Sequence, residues 1–206
     1  MNLLMMALLV TIAATTAPAS APWHPETHRA LVKAAAFRAK GQISAEAALL
    51  EGVRLGRTRV VAEDAEAAKA VEEGVAIWRA ALPDSPFVAV SSGAAEVKVR
   101  FVDFVEGPEG MGRVEARRDY WFGGGHGSKL TGSIVIRRTV GARPIRADEA
   151  AAVLAHELGH LLGLDDVTEV GPIMGPLLPG SPTVVPTKAE VDSILHLREL
   201  CRTDGR

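Results

Sequence analysis

His156, Glu157 and His160 stand in the pattern His-Glu-x-x-His. On a helix, the i, i+4 spacing puts both imidazoles on one face, where two ring nitrogens can hold one metal ion with a carboxylate beside them. A zinc ion that acts on a substrate takes three protein ligands at about 2.0–2.2 Å and keeps a fourth position open. A third donor is therefore needed. Gly163 lets the chain turn just past the helix without a Cβ clash. Three residues later stands Asp166, with Asp165 as its rival for the post. Two histidines and one carboxylate form a catalytic donor set that suits zinc. The surroundings read as a buried helix: Leu154, Leu158, Leu161 and Leu162 make an apolar stripe, and Ala152, Gly159 and Gly163 flank the histidines with almost no side chain. Glycine inside a helix costs about 0.5–1 kcal/mol relative to alanine, so Gly159 predicts a close neighbour.

His156-Glu157-x-x-His160-x-x-Gly163-x-x-Asp166, followed by Ile173-Met174-Gly175-Pro176, resembles the extended zinc signature and Met-turn of the metzincin endopeptidases, nearest to the matrixin-like bacterial members. The last position of that signature is usually histidine, and the aspartate here matches the snapalysin-type variant. The resemblance implies an α+β zincin domain: a twisted mixed β-sheet with a long first helix, an active-site helix and a C-terminal helix. It implies one catalytic zinc on His156, His160 and Asp166, Glu157 as general base, and Met174 as an apolar floor under the ion. In that family the strand ahead of the zinc helix lines the cleft as the sheet edge, which makes Gly132, Ser133, Ile134, Val135 and Ile136 the expected substrate-binding residues. Residues 177–186 would wall the pocket for the residue after the scissile bond, with an apolar preference. Calcium is allowed by the same analogy, but no acidic cluster has a ligand pattern for it.

Two other functions fit parts of the pattern. A gluzincin-like hydrolase would take its third ligand from a later helix, where Glu190 is available, but Gly163, Asp166 and Met174 would then lose their purpose. A secreted binding module could keep the metal without turnover, but would have no need of Glu157 beside the open position.

The elements that must position these residues can be read along the chain. Residues 25–55 predict one or two helices broken near Gly41, with Ser44 as a cap for the second. His24 and His28 in this region are i, i+4 but lack further donors and are assigned no metal. Residues 58–62 predict a strand, and Asp64 then caps a helix reaching Leu82 with Ala67, Val71, Val75, Trp78 and Leu82 on one face. Pro83 and Pro86 end it. Residues 97–101 alternate apolar and charged, as a half-buried strand does. Further strands are expected at 114–122 and 130–138, the latter after a glycine-rich loop holding His126, which is expected to serve neither substrate nor metal. The zinc helix should begin at Asp148 as N-cap. Thr187 and Glu190 form a capping box for a last helix through Cys201, with Val191, Ile194 and Leu195 on its packing side.

The chain of 206 residues suits one domain with accessory segments, divided as a signal segment at 1–21, a helical segment at 22–56 that could be a prosegment, and a catalytic domain at 57–206. An apolar run at 3–14 followed by Ala-x-Ala sites predicts secretion to the periplasm or exterior, and is too short to span a membrane. The net charge of −2 offers no electrostatic case for nucleic acid. The lone Cys201 excludes an intrachain disulfide and reads as a buried apolar residue. The expected partner is a peptide or protein substrate, bound by a monomer.

Overall fold

The computed structural model describes residues 22–105, 110–121 and 125–202. The expected signal segment and part of the glycine-rich loop lie outside them.

The fold is α+β, with five helices and a five-stranded mixed sheet among the described residues. Helices α1 (Pro25–Ala39) and α2 (Ile43–Arg54) come first, followed by β1 (Thr58–Ala62), α3 (Ala65–Ala81), β2 (Phe87–Val90) and β3 (Val97–Val102). The chain continues through β4 (Gly112–Trp121), β5 (Gly127–Arg137), a small ribbon of β6 (Thr139–Val140) and β7 (Arg143–Pro144), then α4 (Ala147–Leu161) and α5 (Lys188–Leu200). The strand order is β2-β1-β3-β5-β4, parallel except for β4, which runs antiparallel to β5.

This order corrects the expectation for Gly132, Ser133, Ile134, Val135 and Ile136. They lie in β5, which is paired with β3 on one side and β4 on the other, so β5 has no free edge. Ile134 and Ile136 are fully buried in the core. The edge strand on that side of the sheet is β4, because the β4–β5 hairpin folds its first arm outward, a pairing choice that strand periodicity cannot reveal.

The sheet has one buried and one wet face. Val97, Val99, Ile134 and Ile136 point to the helices, while Lys98, Arg100, Arg113, Glu115 and Arg117 are exposed on the other side. Asp64 caps α3 by accepting from Ala67 N at 2.8 Å, and Ala67, Val71, Val75, Trp78 and Leu82 are all buried, as their spacing predicts. The Trp78 indole reaches across to donate to Ala155 O of α4 at 2.7 Å, which fixes α4 against α3.

The α4 cap differs from expectation. Arg146 is the N-cap and Asp148 lies inside the first turn; Glu149, three residues on, accepts from Arg146 N at 2.9 Å. Ser44 likewise lies inside α2, whose N-cap is Gln42. In α5 the Thr187–Glu190 box forms, but Leu195 is exposed, and the buried positions are Glu190, Ser193, Ile194 and Leu197.

Helices α1 and α2 are packed into the same unit. Ala34, Leu49, Leu50 and Val53 share a cluster with Leu197 of α5 and with Cys201, which caps that helix. Burial pushes the Cys201 thiol up to about 11, away from reactivity. No helix among the described residues is long and apolar enough to cross a membrane.

Candidate metal centre

Two histidines on adjacent turns of α4 bring their rings to 5.0 Å between centroids, nearly perpendicular. Each ring is held from behind. His156 Nδ1 lies 2.9 Å from Ile173 O, and His160 Nδ1 lies 3.1 Å from Leu164 O. A carbonyl only accepts, so each Nδ1 carries the proton and each Nε2 of a neutral ring turns a lone pair toward the cleft.

The turn after α4 delivers the third donor. Gly163, at φ +97°, donates to His160 O at 3.0 Å and Leu164 donates to Gly159 O at 3.1 Å, the two bonds of a Schellman motif with glycine at its left-handed position. The chain then places Asp166 Oδ1 at 3.1 Å from His156 Nε2 and 3.4 Å from His160 Nε2. Asp165 is not part of the group, and among the described residues His156, His160 and Asp166 alone form a cluster with one donor atom each within 4.8 Å of one another.

Three acceptors thus converge on one point. Bonds of about 2.0–2.1 Å from a tetrahedral ion would set donors roughly 3.3–3.4 Å apart, close to the spacings found here. The donor types, two pinned imidazoles and a carboxylate, also fit zinc. The charges respond to one another. Without an ion, Asp166 is held below the ordinary carboxylate range chiefly by the bond it accepts from the His156 ring in its protonated form, against some burial. Burial disfavours the charge on His156, but Asp166, Glu157 and the Ile173 carbonyl outweigh it and the ring is raised, whereas His160 is lowered by burial and by His156.

Glu157 is buried beside this point. Burial pushes its carboxyl up to about 7, with His156 pulling the other way. The edge strand passes over it so closely that a Cβ on Gly112 would stand 2.7 Å from Glu157 Oε1. The cleft between β4 and α4, about 590 Å³, is lined by Met111, Gly112, Val114, both histidines, Glu157, Asp166 and Leu177. Below it, residues 172–183 close on α4 around a small apolar hollow of about 10 Å³.

Met174 is fully buried against α4, and its Sδ fills the space a side chain at Gly159 would need. That is the close neighbour the glycine predicts. Glu190 is fully buried and its two oxygens are committed, Oε1 to Met174 N at 2.7 Å and Oε2 to Thr187 N at 2.6 Å. It supports the Met174 turn and lies outside the ligand group.

Two residues at the site carry no motif. His24, at the N-terminus of α1, lies against His160 with centroids 5.8 Å apart and lines the cleft. Its only signal in the sequence, the spacing to His28, points elsewhere: His28 packs on Trp23. Gly112 is the other, and an isolated glycine in a strand is the one hint of a close approach. His126 is exposed at the β4–β5 turn and takes no part.

A comparison with protein-family models finds no match to this chain, and a comparison with curated proteins finds none.

Proposed function

We propose that this chain is a secreted zinc-dependent endopeptidase with a metzincin-like fold. The observation that carries the proposal is the meeting of three acceptors, His156 Nε2, His160 Nε2 and Asp166 Oδ1, at spacings suited to one tetrahedral cation, with a buried carboxyl beside them. Zinc bound there would supply a Lewis acid that acidifies water and polarises a peptide carbonyl.

The chain's own residues supply the rest. Ile173 O and Leu164 O hold the imidazoles in the tautomer that leaves Nε2 free. The Glu157 carboxylate takes a proton from the attacking water and passes it to the departing amide nitrogen. The free edge of β4 offers main-chain groups to an extended peptide, which moves the substrate strand from β5 to its neighbour. Leu177 and the loop after Met174 bound the far side of the cleft. Export rests on the apolar run at 3–14 and its small-residue sites.

Glu190 as third ligand has little support, because both its oxygens already bond main-chain donors. A module that binds without turnover would leave Glu157 unused. The deciding experiment is cleavage of a mixed peptide library by the full chain. Cleavage should stop with a chelator, return with zinc, and fall about 10²–10⁴-fold in Glu157→Gln at unchanged zinc content. Chelator-insensitive cleavage, or none by the zinc-loaded chain, would refute the proposal.

A further inference from the structure

We propose that the cavity between α1, α2 and β4 is a subsite for a carboxylate of the substrate peptide, anchored by Arg118; the proposal rests on the endopeptidase reading and assigns it a substrate class.

The cavity, about 360 Å³, adjoins the cleft: His24, Glu26, Ala116 and His160 line both. A peptide following the β4 edge past Ala116 would therefore pass its mouth. Arg118 extends from β4 on the face that carries Val114 and Ala116, beyond the last turn of α4, where its Nη2 donates to Leu161 O at 3.1 Å. That bond uses one of five guanidinium donors. Among the described residues Arg118 has no carboxylate partner, although burial lowers its pKa, with Tyr120 and Cys201 opposing. The group stays charged, because guanidinium does not deprotonate in proteins.

The surroundings add positive charge. Arg29 and Lys33 of α1 stand at the same cavity, and its one acidic residue, Glu26, is bonded to Arg29. Three cations against one carboxylate give the cavity a sign opposite to that of the chain as a whole, which is −2. A partly buried cation with a single neutral partner has lost some of its water without gaining a counter-charge. An arriving carboxylate supplies that charge and matches the free edge of the guanidinium in two-point geometry. A purely structural Arg118, capping the C-terminus of α4, would require only the carbonyl bond it already makes.

The test measures binding, so it does not depend on turnover. The Glu157→Gln full chain, loaded with zinc, is titrated with N-acetylated, C-amidated decapeptides in which one Glu is walked through every position, each beside its Gln twin. A further set keeps the free C-terminal carboxylate. At one register the Glu peptide should bind about tenfold or more tighter than its twin, as expected for a charged hydrogen-bonded pair. The advantage should shrink with added salt. Arg118→Met should abolish it while leaving the Gln peptide's affinity unchanged. If only the free-acid set gains affinity, the ligand is a terminal carboxylate and Arg118→Met should remove that gain instead. Equal binding of all twins together with no gain from the free acid, or no measurable binding of any peptide, overturns the subsite. Should Arg118→Met fail to fold, the ratio between twins in the Glu157→Gln chain decides alone, and Arg29→Gln with Lys33→Gln should reduce it. Wild-type turnover of the same peptides is read separately: turnover with no Glu preference sinks the subsite and leaves the endopeptidase standing, whereas a binding preference without turnover does the reverse.

Discussion

The Sδ of Met174 stands where a side chain on Gly159 would begin. A Cβ at 159 would meet that sulfur, and would also come within 3.3 Å of Met174 Cε and Trp78 Cζ2. The helix between the two histidines and the turn beneath it therefore fit only if position 159 carries no side chain.

Gly159→Ala should destabilise the protein in spite of a helix-propensity gain of about 1 kcal/mol, because overpacking costs about 1–3 kcal/mol and here displaces a buried turn. The net loss expected is up to about 2 kcal/mol in urea unfolding. Since Ile173 O holds His156, zinc affinity should fall too. Adding Met174→Ala should relieve the clash, so the two changes should be strongly non-additive. A stabilised Gly159→Ala chain would show that the contact is not tight.

Glu190 fixes the same turn from the other side. Removing it strands the N–H groups of Met174 and Thr187, so Glu190→Ala should cost about 2–4 kcal/mol by denaturant unfolding, and Glu190→Gln, which keeps one acceptor, less. Folded Glu190→Gln should keep its full zinc content. Loss of zinc with the fold intact would make Glu190 a ligand.

Parts of this architecture are legible in the chain because the signals are local. Asp64 and the Thr187–Glu190 box announce two helices, and the alternation at 97–101 announces a strand, since caps and periodicity act over a few residues. His156, His160 and Asp166 are legible because one helix and one turn bring them together. The edge position of β4 is not, because strand order is decided by long-range pairing. Short β2, Phe87–Val90, is an apolar parallel strand with no alternation and goes unmarked. Leu195 falls outside because the apolar surface offered by α1 and α2 favours Leu197. The approach of His24 to the cleft and the enclosure of Arg118 in the neighbouring cavity depend on how α1 and α2 dock, which no spacing encodes.

The cap of α4 should make stability acid-sensitive. The Arg143 guanidinium, with help from Arg146 N and Gly180 N and against burial, holds the Glu149 carboxyl down to about 2 from an ordinary 4.5. The unfolded chain then takes up the proton first as pH falls, so this contribution is complete above about pH 4.5 and disappears between there and about 2. Unfolding free energy measured across that window should drop more steeply for wild type than for Glu149→Gln. Parallel curves would remove Glu149 as a cause.

The segment before α1 should matter to the metal. Trp23 bridges to Leu164, Pro22 O accepts from Asp165 N at 2.9 Å, and His24 N donates to Gly163 O at 2.8 Å, so residues 22–24 brace the turn that presents Asp166. Trp23 is itself fixed by stacking on His196 and by its indole bond to Ser193 O. Trp23→Ala should weaken zinc binding about 10–100-fold, the usual cost of losing an outer support, in a competition assay with a chelating dye. Unchanged affinity in a folded variant would show that the turn holds itself.

The claim on which the rest depends is that His156, His160 and Asp166 converge because a metal ion belongs between them. Elemental mass spectrometry of the purified full chain, dialysed after loading with zinc, tests this directly beside Asp166→Ala. One zinc per wild-type chain and sharply lower occupancy in Asp166→Ala is the expected result. A folded wild-type chain that retains no zinc would mean that Asp166 is the counter-ion of a protonated imidazole, and that the cleft is not a metal centre.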